Sequence, residues 1–239
     1  MAHEAYFTVD MEPDCPPYLS GWRGVDEGAP ALFSLLARRS IPATLFLTGA
    51  LVRRNPDQVR AWAEAGHDLG CHGDAHVRFS RQSPEAAYAD LARATETLSR
   101  YTEVRSFRAP NLDLPRALLP RLHQLGYRID SSEGRHKHLG ATLRREAGLL
   151  RVPASTTSSV LRLPPSIVAP ILRLLPDPLV LFIHPWELVE LRRERLRLDC
   201  RARTGPTALA ALDGLFTRLT EAGYRWRLLG ELDSRGRGV

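Results

Sequence analysis

Short apolar runs alternate with amphipathic helical stretches along almost all of this 239-residue chain, which restricts it to a fold built on parallel strands. The strand-like runs are Ala5–Val9, Ala43–Leu47, Asp68–Cys71, Ser106–Phe107, Tyr127–Asp130, Val180–His184 and Tyr224–Leu228, with Leu149–Val152 a further short one. Between them, residues 27–39 place Leu32, Leu35 and Leu36 on one helical face, and Asn55-Pro56 opens a helix that ends near Gly66. Ser83-Pro84-Glu85 starts the clearest helix, with Ala87, Leu91, Ala94, Leu98 and Tyr101 at helical spacing. Residues 115–125 and 206–222 complete the helical set. No repeat or linker divides the chain. The expectation is one α/β domain over residues 1–233, about seven strand–helix units arranged as a barrel, and a flexible tail over 234–239.

This pattern puts Asp10, His72, Arg108, Asp130 and His184 each at or just past the carboxyl end of a strand. In parallel α/β folds that is where ligands and catalytic groups gather. His72 and His76 are four residues apart and can turn two nitrogens toward one divalent metal, although a solvated pair has the same spacing. In an extended segment Asp10 and Glu12 share a face, so one carboxylate can hold a metal while the other takes a proton from water. The same residues also suit a polar strand end entering a proline turn. Arg108, in Phe107-Arg108-Ala109-Pro110, offers a fork that can hold a carboxylate. Asp130 ends a buried strand ahead of Ser131 and Ser132, where it serves a site or caps a turn. His184 leaves an apolar strand beside Trp186, poised to protonate a leaving group if a carboxylate keeps its proton available.

The bulk properties exclude several classes. The net charge of +6 is carried by scattered arginines, with Lys137 the only lysine, so there is no basic stripe and no nucleic-acid partner is expected. An anionic group on a substrate remains compatible with that charge. Cys15, Cys71 and Cys200 are odd in number and far apart, which argues against a disulfide framework. Cys71 reads as a small residue ending a buried strand, and His67 as a helix-terminal or solvated histidine, rather than as ligands. The first strand begins too close to Met1 for a secretion signal, so the expected setting is the cytoplasm. Val160–Ile183 is apolar but broken by five prolines, too interrupted for a transmembrane span. It reads as core plus loop, with peripheral contact at the inner membrane face the other reading. Gly134–His138 reads as a solvated loop, or as a run that meets a phosphate.

Taken in order, Thr8-Val9-Asp10, Gly66-His67-Asp68-Leu69-Gly70-Cys71-His72 through His76, Arg108-Ala109-Pro110, Tyr127-Arg128-Ile129-Asp130-Ser131-Ser132 and the strand into His184-Pro185-Trp186-Glu187 resemble the polysaccharide deacetylases of the NodB-homology family, carbohydrate esterase family four. The resemblance runs from about residue 5 to 229 and implies a distorted (β/α) barrel with about seven parallel strands. It implies a divalent metal, zinc the expected one, held by His72, His76 and a carboxylate. It makes Asp10 the general base, Arg108 the residue that orients it, His184 the general acid and Asp130 the partner that tunes His184. Two positions depart from the family pattern. Met11 stands where the family has a second, metal-binding aspartate, which shifts that role to Glu12 with Asp14 as fallback; Gly73 replaces the usual serine or threonine after the first histidine.

The expected activity is removal of an N-acetyl or similar small acyl group from an amino sugar, on a nucleotide- or lipid-linked precursor of cell-surface glycan. The rivals are a deformylase or other amide hydrolase on the same residues, and a non-catalytic glycan-binding protein that keeps the fold. The acyl pocket, the sugar and the oligomeric state are not legible in the sequence.

Overall fold

A computed structural model describes residues 3–137 and 140–235. The chain opens with β1 (Glu4–Met11), followed by a wide helical turn at Gly24–Gly28, α1 (Ala29–Arg39), β2 (Thr44–Leu47), α2 (Gly49–Arg54), α3 (Pro56–Glu64) and β3 (Asp68–Cys71). Next come α4 (Pro84–Leu98), β4 (Ser106–Phe107), α5 (Leu119–Gln124), β5 (Ile129–Asp130) and the antiparallel pair β6 (Arg144–Glu146) and β7 (Leu149–Arg151). The last part holds α6 (Pro165–Arg173), β8 (Leu179–Ile183), α7 (Leu198–Arg201), α8 (Pro206–Glu221), β9 (Arg225–Arg227) and α9 (Glu231–Arg235). The helix α9 takes in Ser234 and Arg235, so it runs into the expected tail; residues 236–239 of that tail, and His138 of the basic run, lie outside the described residues.

Seven strands follow one another in parallel in the order β7, β5, β4, β3, β2, β1, β8. The short β9 pairs with the first half of β1, whose second half pairs with β2. Just past β7, the Ser155 backbone N–H donates to the Val180 carbonyl at 2.8 Å, and its hydroxyl accepts from the Val180 N–H at 2.9 Å. That contact brings the β7 side of the sheet against β8 and curls it into the distorted barrel.

Alternation then decides which side chains face the lumen. On β1, Ala5, Phe7, Val9 and Met11 join the large core under the helices, whereas Tyr6 belongs to a separate cluster with Phe46, Ile129, Leu150, Val152, Val180 and Leu229. The second cluster fills the barrel interior. Thr8, Asp10 and Glu12 share the parity of Tyr6 and so line its upper end. Met11 is fully buried in the helix layer, so an apolar residue is what its position demands. Cys71 also faces that layer, where burial pushes its thiol up to about 12. His67 accepts from the Ala43 N–H and packs on Phe33. Both are packing residues.

The apolar stretch before β8 becomes a helix rather than a loop. α6 buries Val168, Ala169 and Leu172 and turns Ile167 and Ile171 outward, 54% and 49% exposed. Among the described residues no helix is long and apolar enough to cross a membrane.

Candidate active site

The parallel registers align the strand ends. Met11, Leu47, Cys71, Phe107, Asp130 and Arg151 form one row across the sheet. The residues one step further, Glu12, His72, Arg108 and Ser131, therefore turn inward together at the top of the barrel. Backbone bonds from His72 N to Leu47 O, Arg108 N to Cys71 O and Ser131 N to Phe107 O extend the ladder by that step.

Glu12, His72 and His76 converge, each offering one ligand atom within 4.8 Å of the others. The turn that returns His76 beside His72 is a tight loop, with φ of +75° at Gly73 and +56° at His76. A Cβ at position 73 would also lie 3.1 Å from Asp90 Oδ1, so both the left-handed backbone and the close carboxylate account for glycine there. His72 Nδ1 donates to the Arg108 carbonyl at 2.7 Å, because a carbonyl can only accept. Its Nε2 faces Glu12 Oε2 at 3.2 Å, and His76 Nε2 lies 2.5 Å from the same oxygen. Neither nitrogen of His76, whose side chain is 5% exposed, makes a hydrogen bond of acceptable geometry. Trp186 Nε1 donates to Glu12 Oε1 at 3.0 Å and fixes the carboxylate. Burial raises the Glu12 carboxyl, but the charges of His76 and His184 and the imidazole contacts outweigh it and hold the group well below the usual carboxylate range. Two nitrogens and an anionic oxygen aimed at one point, with a buried imidazole lacking a proper partner, are a donor set that fits a divalent cation. The fallback carboxylate is committed elsewhere: Asp14 accepts from the backbone N–H of Arg23 and Gly24 at 2.9 and 2.7 Å.

Asp10 lies beside this cluster, 3% exposed. Arg108 Nη1 donates to Asp10 Oδ1 at 2.6 Å and to Thr8 Oγ1 at 2.8 Å, and Nη2 donates to Ser131 Oγ at 2.9 Å. The guanidinium is fully buried, 4.3 Å over the Phe46 ring. Such a clamp leaves Asp10 Oδ2, 3.9 Å from His184 Nε2, as the oxygen not engaged by Arg108.

His184 does not meet Asp130. Ile129 faces the barrel interior, so Asp130 points to the opposite side, where it accepts from Arg151 Nε at 2.6 Å and Ser132 Oγ at 2.5 Å. Ser132 in turn accepts from the Ala109 N–H, which makes Asp130 a brace for the turn carrying Arg108. The carboxylate on His184 is Glu187: Oε1 accepts from His184 Nδ1 at 2.8 Å and from its backbone N–H at 3.1 Å. Glu187 is fully buried, and its Oε2 lies 2.7 Å from Arg162 Nε. Trp186 stacks on the imidazole at 4.8 Å. Glu187 and Arg162 were not singled out from the sequence, yet Glu187 had a readable signal, since His184-Pro185-Trp186-Glu187 has the spacing of a capping box with proline at the first helical position.

Burial lowers the His184 pKa, but the charge of Glu12, the Glu187 hydrogen bond and the charge of Asp10 together raise it from 6.5 to about 9. These carboxylates favour the protonated imidazole, a form that is lost as pH rises. A cation held by Glu12 would offset part of this pull, so the basic limb of a pH–rate profile is expected between those limits. Glu187→Gln is expected to move that limb down by about one to two pH units, the scale of removing one close carboxylate. Asp130→Asn is expected to leave it in place. A pH–rate profile of both variants checks this, and a limb that moved only with Asp130 would reverse the assignment.

Asp10, Glu12, His76, His184 and Trp186 border one cavity of about 220 Å³. A family profile described as polysaccharide deacetylase matches residues 2–129, just over half the chain. The chain belongs to the polysaccharide deacetylase family. The matched part of this deacetylase-family chain carries Asp10 through Arg108 but stops short of His184 and Glu187. Peptidoglycan-N-acetylglucosamine deacetylase PgdA of Listeria monocytogenes is 29% identical over 69 residues, which are 29% of this chain and only 15% of that relative. Among solved structures, a putative polysaccharide deacetylase from Mycobacterium smegmatis superposes with TM-score 0.69 at 18% identity, covering 99% of this chain and 90% of that one. BA3943 from Bacillus anthracis, described as a CE4 family pseudoenzyme, gives 0.65 at 16% identity over 97% and 65%. At these identities the likeness is one of fold, and a pseudoenzyme among the neighbours leaves activity to be argued from side chains.

Proposed function

We propose that this protein is a divalent-metal-dependent hydrolase that removes an acetyl or similar small acyl group from the nitrogen of an amino sugar. The observation that carries the reading is the convergence of Glu12, His72 and His76, with Glu12 and His76 bordering the same cavity as Asp10 and His184. Glu12, His72 and His76 would hold the metal, and zinc suits two nitrogens and one carboxylate. When bound, such a cation supplies Lewis-acid polarisation of the acyl group and acidification of water.

The chain's own residues divide the proton work. Asp10, anchored through Oδ1 by Arg108, takes the proton of the attacking water on Oδ2. His184, with Nδ1 committed to Glu187, carries its transferable proton on Nε2 and gives it to the departing nitrogen. The two groups stand 3.9 Å apart at closest approach, so one substrate amide can touch both. A non-catalytic glycan-binding role is disfavoured because base, acid and all three candidate ligands are present together.

The test measures acetate and formate released from N-acetyl and N-formyl hexosamines by the metal-loaded protein. Acetate release supports the reading, formate release alone turns it to a deformylase, and glycan binding without release of either contradicts it.

A further inference from the structure

Four cations line the cavity: Arg78, Lys137, Arg162 and Arg197. Two have carboxylate partners, Arg162 on Glu187 and Arg197 on Asp199 at 3.1 and 3.0 Å. Arg78 and Lys137 have no carboxylate within 4 Å among the described residues. Both instead reach neutral oxygens of one residue: Arg78 Nη2 donates to Asn111 Oδ1 at 3.2 Å, and Lys137 Nζ to the Asn111 carbonyl at 2.5 Å. Asp113, the carboxylate that acts on Lys137 through space, accepts from Ser80 Oγ at 2.5 Å.

The turn presenting those oxygens is itself unusual. Asn111 and Leu112 are consecutive non-glycine residues with φ of +59° and +51°, a conformation that costs energy and recurs where a ligand is handled. It gathers two like charges, from residues far apart in sequence, onto one residue at the cavity wall. Both side chains belong to exposed residues and so are accessible to a ligand. Lys137 is also the only lysine of the chain. Asp10 and Glu12 give another part of the same cavity the opposite sign, so the cavity is electrically polar.

We propose that Arg78 and Lys137 form a phosphoryl-binding subsite, and that the amino sugar reaches Asp10 and His184 carrying a phosphate or pyrophosphate group. This rests on the deacetylase reading of the cavity. Two adjacent cations match a dianion, whereas a single carboxylate would neutralise only one of the two charges. Arginine supplies a fork of donors and lysine a point charge, the two ways phosphate oxygens are held.

The experiment has a binding arm and a kinetic arm, both on the metal-loaded full chain. Calorimetry with inorganic phosphate compares the wild type with the Arg78→Gln/Lys137→Gln double variant, and the expected result is at least about tenfold weaker binding in the variant, roughly one good charge-assisted contact. Kinetics compare a nucleoside-diphosphate-linked N-acetylhexosamine, a polyprenyl-phosphate-linked one and the free sugar. Wild type is expected to prefer a phosphorylated form, and the double variant to lose about tenfold or more of that ratio in kcat/KM. Whichever carrier shows the larger loss identifies the source of the phosphoryl group. Phosphate binding and substrate ratio both unchanged by the double substitution would overturn the subsite. If no sugar is deacetylated the deacetylase reading fails, and the calorimetric arm still decides the subsite by itself.

Discussion

Asp10→Asn is expected to lower kcat by about 10²–10⁴-fold, the usual contribution of a positioned general base, while metal content stays at the wild-type level. The asparagine keeps an oxygen for Arg108 Nη1, which now bonds Asp10 Oδ1 at 2.6 Å, but it cannot take a proton from water. Breaking a buried ion pair by removing one partner costs about 3–5 kcal/mol, and a retained acceptor keeps the loss at or below the lower end of that range. A denaturation midpoint measured beside kcat separates the two effects. A folded variant with more than a tenth of wild-type kcat would take the base role away from Asp10.

His72→Ala is expected to remove both metal and activity. The imidazole is 1% exposed, with Nδ1 fixed by the Arg108 carbonyl, so Nε2 points at Glu12 without freedom to turn. Loss of an outer hydrogen-bond partner typically costs 10–100-fold in metal affinity or activity, and loss of the ligand itself is expected to exceed about 100-fold. Metal content after gel filtration and initial rate at saturating added metal are the two readouts. The contrast with Asp10→Asn carries the information, because a base variant keeps its metal and a ligand variant does not. His72→Ala with full metal and full rate would show that the cluster is not the metal site.

The parallel strands, the barrel and the strand-end placement of Asp10, His72, Arg108 and His184 were legible because they follow from short-range patterns: apolar runs of fixed length and polar residues at their ends. Glu12 was legible for the same reason, since period-two alternation returns it to the face of Asp10 while Met11 enters the helix layer. That rule, applied to Ile129-Asp130-Ser131, also would have turned Asp130 outward and Ser131 toward Arg108, but a strand of two residues hides its parity in the sequence. Asp14 looked like a spare ligand until the fold delivered the Arg23 and Gly24 N–H groups to it. Glu187 lay inside a motif already noticed, and only the fold shows that Arg162 reaches it from a turn 25 residues earlier in the chain. The close packing beneath that motif was equally hidden: a Cβ at Gly24 would come within 2.4 Å of the Trp186 backbone nitrogen, so glycine lets the turn press against the segment that carries His184. α6 was missed because Pro164, Pro165 and Pro170 break the pattern that helices usually show.

The claim at the centre is that Glu12, His72 and His76 hold one divalent cation that the hydrolysis requires. Stripping the protein with a chelator and titrating zinc back, with acyl release from an N-acetylhexosamine recorded at each step, tests it most directly. Activity is expected to rise linearly and break at about one equivalent per chain, and His76→Ala to give no such break under the same titration. Full activity in the stripped protein, or an identical break in His76→Ala, would contradict it.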